Sequence, residues 1–390
     1  MSESRDRAIL ERLFGAARRG VDPARAVRLA LRSPEISGAL ARARRLGLFA
    51  AGKAAAGMFA AADRPGAQSL VILPRGYPPP ARPPGELLFA SHPEPDASSI
   101  AAARAALRFF SRFGPDDLIV CLVSGGASSL LCLPRSGVTL ESKRSAVRRL
   151  VRRGASIREL NRLRTALSAV KGGRLGRTTG ARLVNLVLSD VAGDRPSLVG
   201  SGPTIRGRRG DLTRVVASNR TGLQAAAREA ARSGATVVVR RQTLAGEASE
   251  AGRLFARAAR AADGGYVLAG GETTVTLRGV RGRGGRSLEF ALGAAVELDG
   301  EEGVVMLAAG SDGRDGTSDA AGAFVDGSTL ARARRMRLDA LETLARHDAH
   351  RFFERLGDLF RSGPTGTNVC DWAFARIARA SGRPASGRRL

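Results

Sequence analysis

Short apolar runs and longer amphipathic segments alternate along the first two thirds of the chain. The apolar runs predict seven buried strands, at 46–51, 69–74, 86–90, 117–123, 182–188, 214–217 and 235–239. The segments with helical spacing predict six helices, at 53–62, 98–113, 139–153, 156–169, 220–233 and 247–262. Buried strands without clean polar alternation, separated by amphipathic helices, are typical of a parallel sheet with helices on both faces. The pattern therefore predicts an α/β fold.

The pattern changes past about residue 263. The stretch "GGYVLAGGETTVTLRGVRGRGG" predicts a β-hairpin pair that ends in a glycine-rich loop, and "RSLEFALGAAVEL" predicts a helix. The strand "GVVMLAAG", an acidic loop and further helices follow. We expect a Rossmann-like N-terminal domain over 1–245 and a smaller, mixed α/β domain over 246–390, with the last strand or helix able to pack back on the first domain.

Length and composition limit the class of protein. A chain of 390 residues that is 43% hydrophobic is long enough for two domains, each with its own core. No apolar run reaches the roughly 18–20 residues of a membrane helix, and the charged N-terminal segment lacks the apolar core of a secretory signal. The three cysteines have no metal-ligand spacing and favour neither a zinc site nor a disulfide framework. We expect a soluble protein of the reducing cytoplasm.

The net charge of +27 raises the question of a nucleic-acid partner. Of the 63 basic residues only Lys53, Lys143 and Lys171 are lysines, while alanine, glycine and arginine abound. This composition is typical of a GC-rich genome. The arginines are scattered over helical faces, and aromatic residues for base stacking make up 4% of the chain. Genome bias is the favoured explanation, and a polyanion-binding protein without enzymatic activity stays open as an alternative.

The scarcity of lysine draws attention to the three that are present. Lys53 in "LFAAGKAAAG" and Lys171 in "AVKGGRLG" lie in glycine-lined segments. A compact ammonium group fits a phosphate or a substrate oxygen in a tight backbone pocket where a planar guanidinium does not. Lys143 lies in what looks like an ordinary charged helix. Lys53 is therefore the stronger candidate for chemistry, although chance survival of these lysines is an alternative.

The loop after strand 117–123 carries a concentration of amides and hydroxyls. "SGGASS" offers Ser124, Gly125, Gly126, Ser128 and Ser129 at the start of a short helix. Glycine turns at the carboxyl ends of parallel strands bind anions through backbone N–H groups. A phosphate-binding loop and a purely structural turn are almost equally favoured by this motif alone. Neither G-x-x-x-x-G-K-[ST] nor a convincing G-x-G-x-x-G is present.

Acidic and basic residues follow other predicted strands. Asp190 and Asp194 follow strand 182–188, and "SDGRDGTSD" places Asp312, Asp315 and Asp319 after strand 304–309. Arg286 follows Gly284 and Gly285 where a helix begins. Loop aspartates are often caps or turn formers. Together with the glycine loop and Lys53, however, they match the groups used in phosphoryl transfer with Mg²⁺.

A series of eight motifs resembles the glycerate 2-kinase family, also called class II glycerate kinases, which carry a C-terminal MOFRL domain. In family order from about residue 5 to 380 the motifs are "AAGKAAAGM", "SHPEPD", "LVSGGASSLL", "ELNRLRTALSAVKGGRLG", "LSDVAGDRPSLVGSGPT", "GGETTVTLRGVRGRGGRSLEFAL", "AAGSDGRDGTSDAAGAFVD" and "GPTGTNVCD". The resemblance implies phosphorylation of D-glycerate at its 2-hydroxyl by ATP with Mg²⁺, in a cleft between the two domains. Neither a nucleic-acid nor a membrane partner is implied, and the expected state is a monomer or homodimer.

The resemblance also implies roles for individual residues. Lys53 and Arg286 would neutralise charge on the phosphoryl group and on the glycerate carboxylate, and Asp312 would orient or deprotonate the 2-hydroxyl or help to hold the metal. We assign nucleotide binding to the "SGGASS" residues together with Gly284 and Gly285. The remaining candidates are Asp190 and Asp315 for Mg²⁺ and His92 and Lys171 for the substrate. For His92, structural hydrogen bonding is an equal alternative.

Two departures from the family pattern stand out. Ser287 replaces the amide of the family's "GGRNxE", and the basic "IRGRRGD" (205–211) replaces an aspartate-containing loop that we expect near the cleft. A change of nucleotide affinity, a different acid acceptor or an inactive member are possible consequences. A hydroxypyruvate reductase, the main enzymatic alternative, would need a nicotinamide fingerprint that the sequence lacks.

Overall fold

The computed structural model describes residues 2–153, 157–240, 243–277, 279 and 282–378. The helices are α1 Ser2–Gly20, α2 Pro23–Leu31, α3 Pro34–Arg42, α4 Ala55–Ala62, α5 Ala97–Phe110, α6 Ala127–Leu130, α7 Leu140–Arg152, α8 Ile157–Ala166, α9 Asn219–Ala231, α10 Ala248–Arg260, α11 Arg286–Glu297, α12 Thr329–Arg335, α13 Ala340–Ala345 and α14 Ala349–Leu356. The strands are β1 Leu46–Ala51, β2 Gln68–Pro74, β3 Glu86–Ala90, β4 Leu118–Val123, β5 Arg182–Leu188, β6 Leu212–Ala217, β7 Val237–Val239, β8 Gly265–Gly271, β9 Val304–Gly310, β10 Gly322–Asp326, β11 Leu359–Phe360 and β12 Asp371–Ile377. Short 3₁₀ turns lie at Gly176–Thr178 and Val199–Ser201.

The first sheet is entirely parallel and has the strand order β3-β2-β1-β4-β5-β6. This is the order of doubly wound, Rossmann-type sheets, in which ligands bind where the order reverses. The reversal lies between β1 and β4, which pair from Leu46 with Leu118 to Ala51 with Val123. The predicted parallel sheet is confirmed, and the segments that follow β1 and β4 meet at its switch point.

Helices cover both faces of this sheet, as predicted. On one face Phe49, Ile119 and Cys121 pack against Phe109 and Phe110 of α5. Neighbouring side chains of a strand point to opposite faces, and α2 and α4 pack on the other face. The strands are buried on both sides, which explains why their sequences are apolar without alternation.

The second sheet is mixed, with the order β11-β10-β9-β12-β8-β7 and only the β7–β8 pair parallel. The predicted mixed domain is confirmed, but the β-hairpin pair over 264–285 is wrong. Strand β8 is paired with β12 on one side and β7 on the other, so neither edge is open to a hairpin partner. Among the described residues between β8 and α11, only an isolated bridge of Thr274 to Glu247 is formed.

The described residues form two compact units. One comprises Asp22–Ser218 with Gly366–Val369, and the other comprises the described residues of 2–21, 219–365 and 370–378. This division differs from the predicted boundary at residue 245, because α9 packs against β8 and β7 pairs with it. The last strand, β12, lies between β8 and β9 in the second sheet.

Helix α1, which we did not predict, belongs to the second unit. Its buried residues Leu10, Leu13 and Phe14 form an apolar stripe, and the Phe14 ring meets Trp372 of β12 edge-on at 5.6 Å. Helices α1 and α9 pack on the Trp372 face of the second sheet, and α10 and α11 pack on the other. Within the part of the chain that the structure describes, no helix is long and apolar enough to cross a membrane.

Candidate active site

The turn after β1 is held against the loop after β4. The backbone N–H of Lys53 donates to Gly125 O at 2.8 Å, and that of Ala54 donates to Ser124 Oγ at 3.1 Å. Gly52 has φ +126°, and a Cβ there would lie 2.6 Å from Ser124 O. Only glycine fits this conformation and this close approach. The two turns thus form one rigid structure at the switch point of the sheet.

Five predicted residues meet at this structure. A Cβ on Gly126 would lie 3.3 Å from Cγ of Lys53 and 3.3 Å from Nε2 of His92. The carboxylate of Asp190 occupies the space that a Cβ on Gly125 would need. An ammonium group, an imidazole and a carboxylate are therefore arranged around two glycines. These three side chains lie in or against the space that side chains on the two glycines would need.

The imidazole of His92 is biased toward its neutral form. Burial lowers its pKa, and the positive charge of Lys53 lowers it further. The loop that carries it is tied to the glycine turn, because the Ser129 hydroxyl donates to Pro93 O at 2.7 Å. The Ser129 hydroxyl, predicted to bind nucleotide, thus uses its proton within the protein and keeps only acceptor capacity for a ligand.

Lys171 lies deeper beneath the same loop. Its side chain is 3% exposed and its Nζ donates to Ser128 Oγ at 2.5 Å, while that hydroxyl lies 3.0 Å from Ser201 Oγ. Burial and the nearby charge of Lys143 lower the pKa of Lys171 to about 7. The structure thus joins Lys171 and Ser128, which were predicted to bind substrate and nucleotide respectively.

Lys143 does not lie on an ordinary charged helix face, contrary to our expectation. It is 4% exposed and close enough to Lys171 to lower that residue's pKa. Burial lowers the pKa of Lys143 itself. All three lysines of the chain therefore lie around the loop Ser124–Ser129 or directly beneath it. The scarcity of lysine in the sequence was a signal that applied to Lys143 as well.

The second unit contains a separate group of predicted residues centred on Arg286. Its guanidinium donates to both oxygens of Asp371, at 2.5 and 3.2 Å, and to Glu272 Oε1 at 2.5 Å. These carboxylates raise the pKa of Arg286 against the effect of burial, so the group stays charged. Burial raises the pKa of Asp371 to about 7, against the lowering effect of Arg286, and Asp315 and Glu272 add to the rise.

Asp371 and Glu272 were missed as site residues, although both lie in quoted motifs, "NVCD" and "GGET". Nothing in the sequence brings them to Arg286, since the pairing of β8 with β12 is a long-range contact. They fix the orientation of the guanidinium through its Nε and one N–H on each terminal nitrogen. Two further N–H groups of the fork can therefore face a ligand.

Asp315 has a different environment from the one expected of a metal ligand. It is 2% exposed, and its two oxygens accept the backbone N–H groups of Ser287 at 3.0 Å and Leu288 at 2.8 Å. It thus satisfies unpaired donors at the beginning of α11. Burial raises its pKa to about 6. Gly285 allows this contact, because a Cβ there would lie 2.6 Å from Asp315 Oδ1.

The other predicted residues of this unit have mixed outcomes. Gly284 O accepts the backbone N–H of Thr317 at 3.1 Å, so its carbonyl has a structural role. Asp312 is half-buried directly after β9, and its Oδ1 accepts the backbone N–H of Arg314 at 3.1 Å. Within the described ranges, no group of three or more His, Cys, Asp or Glu residues could hold a metal ion.

The loop 205–211 was expected near the cleft, and its position relative to the cleft stays a prediction. Asp211 directly precedes β6 and accepts the backbone N–H of Leu183, so the loop lies at the amino end of the strands. The switch-point turns follow the carboxyl ends of β1 and β4. The side chain of Arg206 is buried, and its Nε lies 2.7 Å from Oδ2 of Asp211 in an ion pair. The positive charge of Arg206 therefore stabilises the fold and does not bind a ligand at the switch point.

Ser287 lies next to a small cavity. Its hydroxyl is buried and has no hydrogen-bond partner among the described residues. A cavity of about 10 Å³ adjoins it, lined also by Thr273, Phe290, Asp371 and Trp372. This volume is close to that of one water molecule. The serine thus leaves space beside the carboxylate that holds Arg286.

Two family models match successive parts of the chain, and the first of them includes most of α1 and all of α9, which belong to the second compact unit. Residues 9–233 match the family model described as "Domain of unknown function (DUF4147)", and residues 265–371 match the MOFRL family model. A doubly wound α/β domain joined to a MOFRL region defines the class of protein. The chain belongs to the glycerate 2-kinase family, as the motif series indicated.

Three relatives illustrate the similarity. The chain is 38% identical to a protein of Agrobacterium vitis provisionally named a hydroxypyruvate reductase, over 94% of this chain and 93% of that one. It is 33% identical to the glycerate 2-kinase of Pyrococcus horikoshii, over 76% of this chain and 79% of the other. The crystal structure of glycerate kinase from Thermotoga maritima superposes with a TM-score of 0.86 at 32% identity, covering 96% of this chain and 100% of that one.

Proposed function

We propose that the protein transfers the γ-phosphoryl group of ATP to the 2-hydroxyl of D-glycerate, giving 2-phosphoglycerate and ADP. The observation that carries this proposal is the grouping of Lys53, His92 and Asp190 around Gly125 and Gly126 at the switch point of a parallel sheet. Family membership directs the choice of reaction and substrate. The 2-position rests on the family alone.

In this proposal the glycine loop binds phosphate oxygens through its backbone. Gly125 and Gly126 carry no side chains, which leaves room for Asp190, Lys53 and His92 beside the loop. Lys53 places a positive charge beside the same loop, where it offsets the charge that develops on the phosphoryl oxygens. The neutral imidazole of His92 contributes a hydrogen bond to the substrate without a competing charge.

Arg286 serves the same reaction from the second unit. Asp371 and Glu272 fix its plane, so its remaining N–H groups are oriented before a ligand arrives. A carboxylate or phosphate is the natural partner of such a fork. Asp312 acts on the 2-hydroxyl as a hydrogen-bond acceptor. The predicted location of the site in a cleft between the two domains stays a prediction.

Mg²⁺ fits the donor chemistry of the remaining aspartates. Mg²⁺ is usually held by one or two carboxylates together with substrate phosphates, and Asp190 lies against the proposed phosphate loop. Asp190 would hold the ion together with the phosphates of the nucleotide, whereas Asp315 is engaged at α11. When bound, Mg²⁺ would offset the charge of the ATP phosphates. We further propose that the protein acts in the cytoplasm, as a monomer or homodimer, without a nucleic-acid partner.

A hydroxypyruvate reductase is the second candidate, because the Agrobacterium relative carries that provisional name. Nicotinamide-binding sheets have glycines at fixed positions in the turn after β1. Here Gly52 is followed by Lys53 and then Ala54, whose N–H is already bound to Ser124. A lysine and an alanine in place of the glycine fingerprint favour phosphoryl transfer over dinucleotide binding.

The deciding experiment incubates the purified protein with ATP, Mg²⁺ and D-glycerate and follows the products by phosphorus NMR. We expect the resonance of 2-phosphoglycerate and not that of the 3-isomer. A parallel sample with hydroxypyruvate and NADH or NADPH is monitored at 340 nm. Oxidation of the nicotinamide without any phosphoglycerate would overturn the proposal, and the 3-isomer alone would overturn its regiochemistry.

A further inference from the structure

Two buried lysines lie together beneath the loop Ser124–Ser129, and neither forms an ion pair with a carboxylate of the described residues. Lys143 on α7 is 4% exposed and Lys171 is 3% exposed. Within the described ranges, no carboxylate oxygen lies within 4.0 Å of the Nζ of either lysine, which is the limit for an ion pair. The Nζ of Lys143 also has no hydrogen-bond partner among those residues, and that of Lys171 donates to Ser128 Oγ.

The other groups that interact with this pair are neutral or positive. They are the thiol of Cys132 and the guanidinium of Arg164. Burial lowers the pKa of Lys143 and of Lys171. The charge of Arg164 lowers both further, and that of Lys143 lowers the pKa of Lys171, while Cys132 acts in the opposite direction on both lysines. Buried charges in folded proteins are normally paired. A packed apolar side chain at position 143 would be more stable, so retention of the charge calls for a function.

We propose that Lys143, Lys171 and the hydroxyl of Ser128 form an oxyanion subsite that binds the carboxylate or phosphate group of a small ligand. An anion placed there supplies the missing partner for both ammonium groups. Its position beneath the glycine loop suits a ligand that also contacts that loop. The identification of the ligand as glycerate or nucleotide rests on the proposed function, whereas the existence of the subsite does not.

The choice of lysine at both positions supports the proposal. The chain contains only three lysines among 63 basic residues, so arginine would be the default cation. A guanidinium needs room for a planar fork, while an ammonium group can meet a ligand oxygen as a compact charge. Ser201 Oγ, 3.0 Å from Ser128 Oγ, fixes the serine hydroxyl from the other side.

Binding is measured by calorimetry with three probes, inorganic phosphate, ADP and D-glycerate, so that the source of the anion is distinguished. The Lys143→Met variant keeps the apolar stem and removes the charge, and Lys171→Met does the same at the second position. Arg149→Met is the matched control, because it removes one positive charge from the exposed side of the same helix. We expect the two lysine variants to bind at least one probe about tenfold more weakly or worse. The control should bind like the wild type.

Two further measurements distinguish a ligand site from a structural role of the two lysines. Binding at pH 8 should take up protons, seen as a heat that depends on the buffer, because an anion restores the protonated form of Lys171; this uptake should disappear in Lys171→Met. Ligand-free Lys143→Met should melt at the same temperature as the wild type or higher. A purely structural lysine predicts the reverse, with a lower melting temperature and unchanged affinity.

Equal affinity of the wild type and both lysine variants for all three probes would overturn the subsite. If the variants do not fold, the pH dependence of phosphate binding by the wild type tests the proposal. The affinity for phosphate should fall as the pH rises from 7 to 9, and an affinity that does not change with pH would contradict the proposal. Failure of the proposed function has a different signature. In that case D-glycerate is not phosphorylated by the wild type, while phosphate binding still depends on Lys143.

Discussion

The guanidinium of Arg206 uses all five of its N–H groups inside the first unit. Nε and Nη2 donate to Asp211 at 2.7 and 3.1 Å, and the other three donate to the carbonyls of Gly176 at 2.5 Å, Thr179 at 2.8 Å and Ala181 at 2.6 Å. The side chains of Arg206 and Asp211 are 4% and 8% exposed. Arg206 therefore makes five of the hydrogen bonds that hold the loop 205–211 in place. Substitution of Arg206 tests this interpretation directly.

We predict that Arg206→Lys destabilises the first unit by about 2–6 kcal/mol. An ammonium group has three donors, so at least two of the five acceptors lose their partner, and each unsatisfied buried acceptor costs about 1–3 kcal/mol. Arg206→Met should cost at least about 3–5 kcal/mol, because it leaves the buried Asp211 carboxylate uncompensated. The two variants together distinguish the loss of geometry from the loss of charge.

Urea unfolding followed by circular dichroism measures the effect as a lower midpoint with an unchanged slope. The matched control is Arg208→Lys in the same loop, where a single exposed bond to Gly180 O predicts a change within about 0.5 kcal/mol. At a temperature where the variants are folded, the KM for ATP should equal that of the wild type. A urea midpoint of the Arg206 variants equal to that of the control would refute the structural role. A raised KM for ATP in variants of unchanged stability would also refute it and would indicate that the loop contributes to ligand binding.

Three further predictions concern the candidate site. Lys53→Arg should lower kcat about 10²-fold, nearly as much as Lys53→Ala, at an unchanged melting temperature, because a longer planar group misplaces the charge beside Gly126; near-wild-type turnover in steady-state assays would remove Lys53 from the catalytic residues. Gly125→Ala should raise the Mg²⁺ concentration for half-maximal activity about tenfold, because the new methyl group displaces the Asp190 carboxylate; an unchanged Mg²⁺ titration would contradict the assignment of Asp190. The pKa of Lys171 is lowered from 10.5 to about 7, so the unfolded chain binds more protons than the folded protein between these pH values, and the stability of the ligand-free protein should rise with pH there. Urea midpoints at pH 7, 8.5 and 9.5 should rise less in Lys171→Met than in the wild type. An equal rise in both proteins would show that Lys171 titrates normally.

The first sheet was predictable because its central strands are local and buried. The predicted runs of four to seven residues lie between breakers, and β1 to β6 were all identified within two residues of their observed ends, including the partly exposed edge strands β3 and β6. The glycine loop and Lys53 could be placed for the same reason, since both directly follow a strand. The position of a side chain at a strand end requires only local information.

The parts that were not predicted depend on distant partners. The apolar stripe of α1 is visible in the sequence, but its packing surface includes Trp372, at the other end of the chain. Asp315 could not be recognised as the partner of the α11 amides, because Gly285 and Ser287 reach it only through the fold. Lys143 has the helical surroundings of a surface residue, and only the tertiary structure buries it.

The position of α1 has a consequence for biosynthesis. This helix is made well before β12, which begins at Asp371 and forms part of the surface that α1 covers on the second sheet. At translation rates of 5–20 residues per second, α1 waits roughly 20–70 s before the strand that carries Trp372 is made. The intervening residues Asp22–Ser218 can meanwhile collapse as a continuous segment. Helix α9, the other partner of α1, is complete at Ala231, so a nascent chain can cover part of α1 with α9 and buries the contact with Trp372 only after β12 is made.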